Sequence, residues 1–154
     1  MIPLAFINYG GIQAIQTLWA GPWMLNITGY TPLQSATGLF WINITMLISF
    51  FIWGYILPKI SEYGISSIKL IKLGLPISYF SLFLIIYFGN NAGAFLFTLY
   101  IMTSIVISLT QPAIALNFSK NLAGKSLTSY NVFLFSGTFF MQWGIGLVID
   151  LCNN

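Results

Sequence analysis

No charged side chain occurs from Leu73 to Ser119, in the stretch LGLPISYFSLFLIIYFGNNAGAFLFTLYIMTSIVISLTQPAIALNFS. This stretch is more than twice as long as the roughly 20 apolar residues with which a helix crosses a bilayer. Glycine and asparagine favour turns, so Gly89–Gly93 (GNNAG) divides it in the middle. The stretch therefore predicts two consecutive membrane-spanning helices, Ile68–Phe88 and Ala94–Asn117.

The flanking sequence repeats this pattern on both sides. No charge precedes Lys59, and Ser126 to Ile149 is again uncharged, while Asn26–Pro32 (NITGYTP) is a second turn signal. Three further spans are therefore predicted, and all are long enough to cross with some tilt: Leu4–Leu25, Leu33–Leu57 and Leu127–Ile149. The apolar runs do not alternate as strands of a membrane barrel do. The predicted fold class is all-α, a polytopic membrane protein with one membrane domain over residues 1–154.

Composition supports this class and excludes most chemistry. Only 5% of the residues are charged and 58% are hydrophobic, whereas about 25% of a typical soluble domain is charged. The chain has no His or Arg, one Cys (Cys152) and two acids, Glu62 and Asp150. This set offers no internal disulfide, no protein metal site and no general acid or base of suitable pKa. We therefore expect no enzyme activity, no cofactor and no bound metal.

The lysines predict the orientation of the chain. All five lie in two segments, Pro58–Lys72 and Ser119–Lys125, which five spans place on the same side of the membrane. The positive-inside rule assigns that side to the cytoplasm, so the N-terminus is predicted inside and the C-terminus outside. The start lacks a basic region and its apolar run is too long for a signal peptide. The expected partner is the lipid bilayer and not a nucleic acid, because the lysines are few and confined to short loops.

An α-helix rotates by about 100° per residue. At this rotation, polar side chains share one face of the helix in three of the spans. The aligned sets are Tyr9, Gln13 and Gln16 in the first span, Tyr100, Ser104, Ser108 and Gln111 in the fourth, and Asn131, Thr138 and Gln142 in the fifth. Lipid cannot satisfy the hydrogen bonds of an amide, so these faces point to protein or water. Two interpretations stay open, hydrogen bonding between packed helices and the lining of a polar cavity. Gln13 and Gln16, one turn apart, favour the cavity because two amides need several partners.

Proline and glycine add two weaker predictions. Pro22 and Pro112 each lie 18 residues after the start of their span, Leu4 or Ala94. Matching breaks in the first and fourth spans suit a fold of two three-helix repeats, which many transporters use. Gly137 and Gly144, two turns apart in the fifth span, would allow close approach of another helix.

Three stretches resemble the C-terminal half of the major facilitator superfamily of secondary transporters. They are Leu18–Trp23 (LWAGPW), Gly54–Lys59 (GYILPK) with the following Gly64, and the region from Gln111-Pro112 through Asn131 to Gln142–Gly146 (QWGIG). The first resembles helix seven of that fold. The second resembles its degenerate Gly-x-x-x-Asp-Arg loop between helices eight and nine. The third resembles helices ten and eleven, and the resemblance covers about residues 5 to 150.

The resemblance implies a transporter of twelve helices, of which this chain would supply helices seven to eleven. It implies that Tyr9, Gln13, Gln16, Tyr100, Ser104, Ser108 and Gln111 line the substrate cavity, and that Asn131, Thr138 and Gln142 face the other half. Gly54, Lys59 and Gly64 would form the cytoplasmic loop motif. In that motif Pro58 stands where an acid is usual and Lys59 where Arg is usual, and Lys lacks the planar fork of Arg. Two interpretations of this loop therefore stay open. It could act as a gating latch, or it could be a solvated loop whose lysines only set the membrane orientation.

The function expected from these observations is that of a partial secondary transporter in a bacterial inner (plasma) membrane. The chain would form one wall of an alternating-access path for a small polar or organic solute. The missing N-terminal half, or another copy of the chain, would supply the other wall. Any proton-coupling acid would lie in that other half, because coupling uses intramembrane acids or His. The alternative is a non-transporting small membrane protein, or a gene remnant, that acts as an interaction partner.

Overall fold

The computed structural model describes residues 2–153, which are helical apart from short connections and contain no strand. Seven α-helices follow one another: α1 Ile2–Ala14, α2 Ala20–Asn26, α3 Pro32–Glu62, α4 Ser67–Phe88, α5 Ala94–Ser104, α6 Thr110–Asn117 and α7 Lys120–Asn153. A π-helical turn, Ile15–Trp19, joins α1 to α2, and 3-10 turns occupy Gly89–Asn91 and Ile105–Leu109. The α1–α2 run (residues 2–26) and the α5–α6 run (Ala94–Asn117) are thus two interrupted helices, and the described chain forms five helical runs.

Four of the five runs are long and apolar enough to cross a membrane: Pro32–Glu62, Ser67–Asn91, Ala94–Asn117 and Asn121–Cys152. The α1–α2 run is helical throughout and reaches roughly 37 Å at 1.5 Å per residue, which exceeds the roughly 30 Å of a hydrocarbon core. The predicted all-α class is therefore confirmed. Two predicted helices are too short: α3 continues beyond the predicted Leu57 to Glu62, and α7 begins at Lys120, before the predicted Leu127.

Local hydrogen bonds fix where the long helices begin. Thr31 and Gln34 form a complete capping box at the start of α3: the Gln34 amide donates to Thr31 Oγ1 at 3.3 Å and the Thr31 amide to Gln34 Oε1 at 2.9 Å. Ser66 caps α4 through its hydroxyl, which accepts from the Lys69 amide at 3.4 Å. Such caps satisfy amides that have no partner inside the helix. The charge-free Asn26–Pro32 segment thus contains both a turn and a helix start.

The connections between helices gather at two ends of the bundle. The Ala94 amide donates to the Tyr30 hydroxyl at 3.3 Å, which joins the two lysine-free connections. At the other end Pro3, Phe118 and Lys125 line one cavity, so the start of α1 lies beside the α6–α7 connection. The structure thus brings the two lysine-free connections together, and it places the start of α1 beside the lysine-bearing start of α7. Which end faces the cytoplasm stays a prediction.

The α5–α6 run forms the centre of the bundle. α3 and α4 pack against α5, α7 packs against α6, and α1 contacts the Ile105–Leu109 turn. In an apolar 18-residue segment of this run, 50% of the residues are buried, against 11% in the corresponding segment of α7 and 17% in that of α3. The fully buried side chains of the run include Ile101, Ile105 and Ile107. α3 and α7 are therefore the outer helices, with most of their apolar surface uncovered.

The closest helix contact joins α1 and α7 through two glycines. A Cβ atom at Gly10 would lie 2.5 Å from the carbonyl carbon of Gly137, and a Cβ at Gly137 would collide with the carbonyl oxygen of Phe6. The predicted close approach at Gly137 is therefore confirmed, and Gly10 is its unpredicted partner. The same prediction for Gly144 is wrong, because a Cβ there would meet nothing within 4 Å. Gly144 lies on a face of α7 that meets no other helix, although Gln142 and Gly146 on either side of it still contact the π turn.

Candidate functional site at two helix breaks

Both interrupted runs leave the α-helical register shortly before a proline. The π turn Ile15–Trp19 ends three residues before Pro22, and the 3-10 turn Ile105–Leu109 ends three residues before Pro112. Proline has no N–H for the carbonyl four residues earlier, and its ring crowds that carbonyl. The preceding turn therefore loosens in one run and tightens in the other. Pro58 and Pro76 lie inside the unbroken helices α3 and α4, so the breaks are selective features of these two runs.

The two breaks lie near the middle of neighbouring runs. Trp23, near the end of the α1–α2 run, packs edge-on against Phe97 at the start of the α5–α6 run, with ring centroids 6.2 Å apart. α1 also contacts the Ile105–Leu109 turn. The two runs are therefore antiparallel neighbours, with their breaks at similar depth. Transporters commonly place their substrate sites at discontinuous helices near the bilayer midplane.

Hydrogen-bonding capacity is left unused at these breaks. Four buried side-chain polar atoms in the described part of the chain have no hydrogen-bond partner: Gln16 Oε1, Trp19 Nε1, Trp23 Nε1 and Ser104 Oγ. Gln16 is 8% exposed and Ser104 is 2% exposed. The set combines one acceptor, two donors and a hydroxyl that can act as either. Gln16 and Trp19 lie in the π turn and Ser104 lies directly before the 3-10 turn, so three of the four unpaired atoms belong to residues at a break.

Gln13 and Gln16 point to different neighbours. Gln16 Nε2 donates to Asn43 Oδ1 of α3 at 2.7 Å, while Gln13 Nε2 donates to the Tyr9 hydroxyl at 3.0 Å. Gln16 is thus satisfied on its nitrogen and unpaired on its oxygen. Asn43 was not among the predicted site residues, although an amide at its position in the second span is equally unable to satisfy its hydrogen bonds in lipid.

A second hydrogen bond joins the π turn to α7. Gln142 Nε2 of α7 donates to Thr17 Oγ1 at 2.9 Å, and Thr17 Oγ1 donates to the Gln13 carbonyl at 2.6 Å. Thr17 takes up a carbonyl inside the run, as hydroxyl side chains do in helices. Together with Gln16 and Asn43, this bond anchors the π turn to both α3 and α7.

The predicted residues of the fourth run differ in their surroundings. Tyr100 and Ser104 are buried beside each other, but the Ser104 hydroxyl lacks the geometry of a hydrogen bond. Ser108 and Gln111 are half-buried. The α1 contact with the 3-10 turn places this run next to Tyr9 and its neighbours. A common space for all seven cavity candidates stays a prediction.

Two hydroxyls that the sequence did not single out join the fourth run to its neighbours. Thr110 Oγ1 forms a short hydrogen bond with the Tyr130 hydroxyl of α7, and it donates to the Ile107 carbonyl at 2.7 Å. Thr103, which borders the predicted polar face, donates to Ser81 Oγ of α4 at 3.2 Å. These bonds belong to helix packing, because both hydroxyls already have partners.

The residues predicted at the interface with a second half divide into two groups. Asn131 is exposed, whereas Thr138 donates to the Leu134 carbonyl at 3.1 Å and Gln142 bonds to Thr17. Of these three residues, Asn131 is the one exposed on the outer surface of α7.

The predicted loop motif lies at the exposed end of α3. Lys59 Nζ donates to the Tyr55 hydroxyl at 2.7 Å and lies 3.9 Å from the centre of its ring. Gly64 adopts a φ of 75°, which lets the chain turn after α3. A Cβ at Gly54 would meet nothing within 4 Å. The motif therefore includes a cation held by an aromatic ring and a turn that favours glycine.

Comparison with known protein families, with curated proteins and with solved structures finds no match to this chain. No group of three or more His, Cys, Asp or Glu side chains lies together among residues 2–153. The fold thus defines a class, an all-helical chain whose helices are compatible with several membrane crossings.

Proposed function

We propose that the chain forms one wall of a path for a small polar or organic solute across a bacterial plasma membrane. It would act as part of a secondary transporter of the major facilitator type. The observation that carries the proposal is the coincidence of two mid-run helix breaks with four buried, unpaired polar atoms. Each such atom costs about 1–3 kcal/mol while it stays unpaired. A polar solute, or the water that precedes it, would remove that cost.

Neutral groups would bind the solute in this site. Gln16 Oε1 would accept a hydrogen bond, the Trp19 and Trp23 indoles would donate, and Ser104 would do either. The half-buried Gln13 and Gln111 would lie along the way to this set. These neutral groups suit a polar organic solute, or an anion whose charge the other wall would meet.

The outer helices suggest where the second wall would dock. Large apolar side chains cover α3 and α7, including Phe51 and Phe135, each 71% exposed, and Asn131 adds an exposed amide to α7. The partner would be the N-terminal half of a transporter or a second copy of this chain. Because alternating access needs two walls, we expect vesicles that contain only this chain to show no saturable solute uptake. Saturable uptake by these vesicles would contradict the proposal that the chain forms only one wall of the path.

Cysteine accessibility tests whether the polar faces are wet. In a Cys152→Ser background, Gln13→Cys and Gln111→Cys would be treated in lipid vesicles with a membrane-impermeant, water-soluble thiol reagent. Phe80→Cys is the control, because Phe80 is 60% exposed on α4 and would face lipid. We expect both glutamine positions to react while the more exposed control does not. Unreactive cysteines at both glutamine positions, in a protein that still folds, would contradict the proposal.

A second candidate, a non-transporting membrane protein, is favoured by a different observation. Gln16–Asn43, Thr17–Gln142 and Thr110–Tyr130 each join two helical runs, as expected where polar groups only hold helices together. An upstream reading frame that encodes six or seven further helices would support the transporter. An upstream frame interrupted by stop codons would support a gene remnant.

A further inference from the structure

A groove lies at the lysine-bearing end of the bundle, apart from the helix breaks. It is enclosed by α6, α7 and the start of α1, with a volume of about 610 Å³. Pockets for small ligands usually span about 300–1,000 Å³. Ile114, Phe118 and Phe133 form its apolar wall, and Lys125, Ser126 and Ser129 its polar side. The groove therefore offers two contrasting surfaces to one ligand.

The polar side presents a cation and two hydroxyls in helical register. Lys125 and Ser126 lie four and three residues before Ser129 on α7, so each is a neighbour of Ser129 on the helix surface. All three side chains line the groove. The Lys125 side chain is exposed. Both hydroxyls can donate, and the ammonium donates as well. A tetrahedral anion such as a phosphate diester matches this set of donors.

The sequence places the groove where a membrane begins. Lys125 is the last charge before Ser126 to Ile149, which is uncharged. Its charge therefore marks the boundary between the apolar part of α7 and water. The apolar wall continues from there along Phe133 toward the middle of the helix. A water-soluble phosphate would leave that wall uncovered, whereas an acyl chain would cover it.

We propose that this groove binds an anionic phospholipid such as phosphatidylglycerol, with its phosphate on Lys125, Ser126 and Ser129 and an acyl chain against the apolar wall. Basic pockets between membrane helices bind anionic head groups in the same way. The proposal needs the chain to lie in a membrane but does not rest on transport. Occupied by lipid, the groove would join α6 to the lysine-bearing first turns of α7 across the short connection between them.

Native mass spectrometry of the full chain tests the proposal by counting retained lipids. The protein would be taken from nanodiscs that contain equal phosphatidylglycerol and phosphatidylcholine. Wild type, Lys125→Gln and Ser126→Ala/Ser129→Ala would be compared with Lys72→Gln, which removes the same charge from an exposed position on α4. We expect one retained phosphatidylglycerol in wild type and Lys72→Gln, and about fivefold less in Lys125→Gln, the loss that corresponds to one lysine near an anionic surface. The Ser double variant should lose about as much.

Three outcomes would overturn the proposal. Equal losses in Lys72→Gln and Lys125→Gln would show general attraction to anionic lipid without a site. Unchanged retention in Lys125→Gln and the Ser double variant would remove the groove from lipid binding. Glycerol phosphate raising the melting temperature in pure phosphatidylcholine nanodiscs as much as phosphatidylglycerol does would assign the site to a soluble phosphate. Circular dichroism confirms that each variant folds, which is expected because Lys125 and Ser129 are exposed.

Discussion

Replacing Gly137 by alanine should separate α1 from α7. The added methyl would collide with the Phe6 carbonyl oxygen and lie 3.0 Å from the Phe6 carbonyl carbon, whereas ordinary contacts begin at 3.4 Å. These atoms are backbone, which cannot rotate away, so the helices must move apart. Overpacking of this kind costs about 1–3 kcal/mol. We therefore expect Gly137→Ala to lower the free energy of unfolding by that amount, measured by titrating the purified protein from mild detergent into SDS.

Gly144→Ala is the matched control for this prediction. It adds the same methyl to the same helix two turns later, where nothing lies within 4 Å, so its intrinsic preference for helix should leave stability unchanged or about 1 kcal/mol higher. The double variant Gly10→Ala/Gly137→Ala should cost less than the sum of the single variants, because the first methyl already separates the helices. Equal stability of Gly137→Ala and Gly144→Ala, or strict additivity in the double variant, would refute the backbone contact.

Three further predictions concern the helix-joining bonds and the orientation. Tyr130→Phe should lower the free energy of unfolding by about 0.5–1.5 kcal/mol, because Thr110 loses its α7 partner but keeps the Ile107 carbonyl; no change in the SDS titration would contradict this. Gln16→Leu should keep stability within about 1 kcal/mol of wild type while weakening solute binding, and a stability loss with intact binding would favour packing instead. Reporter fusions at Tyr30 and Asn91 should be active outside the cytoplasm and a fusion at Leu122 inside it, and the reverse pattern would refute the orientation.

The overall fold was predictable because it depends on long-range composition. Apolar runs cut by glycine, asparagine and proline predict five helices, and the predicted fourth span, Ala94–Asn117, has the bounds found in the structure. Charged residues predict helix ends less accurately than turn residues do, since α3 continues through Pro58 and Lys59 to Glu62. A helix that leaves the apolar layer still satisfies its own backbone, so nothing forces it to stop at the first charge.

The packing partners were less predictable because they depend on helix rotation. The helical wheel groups Gln13 with Gln16, but Gln16 reaches Asn43 on α3 while Gln13 bonds within its own helix. The π turn is the physical reason. It inserts a wider turn at Ile15–Trp19, so the regular 100° step no longer holds on either side of it. A wheel drawn from α1 therefore predicts the wrong rotation for residues beyond Ala14.

The free energies of the polar groups at the π turn favour a bound polar solute or water over helix packing alone. Gln16–Asn43 and Thr17–Gln142 join the turn to neighbouring runs, and polar bonds between membrane helices contribute roughly 0.6 kcal/mol each. The unpaired atoms of Gln16, Trp19 and Trp23 lie in or beside the same turn, at a cost of about 1–3 kcal/mol each. The cost thus exceeds the stabilisation severalfold as long as the turn stays dry. Because a polar solute or water would satisfy these atoms without breaking either bond, the balance of energies favours the proposed polar site over packing alone.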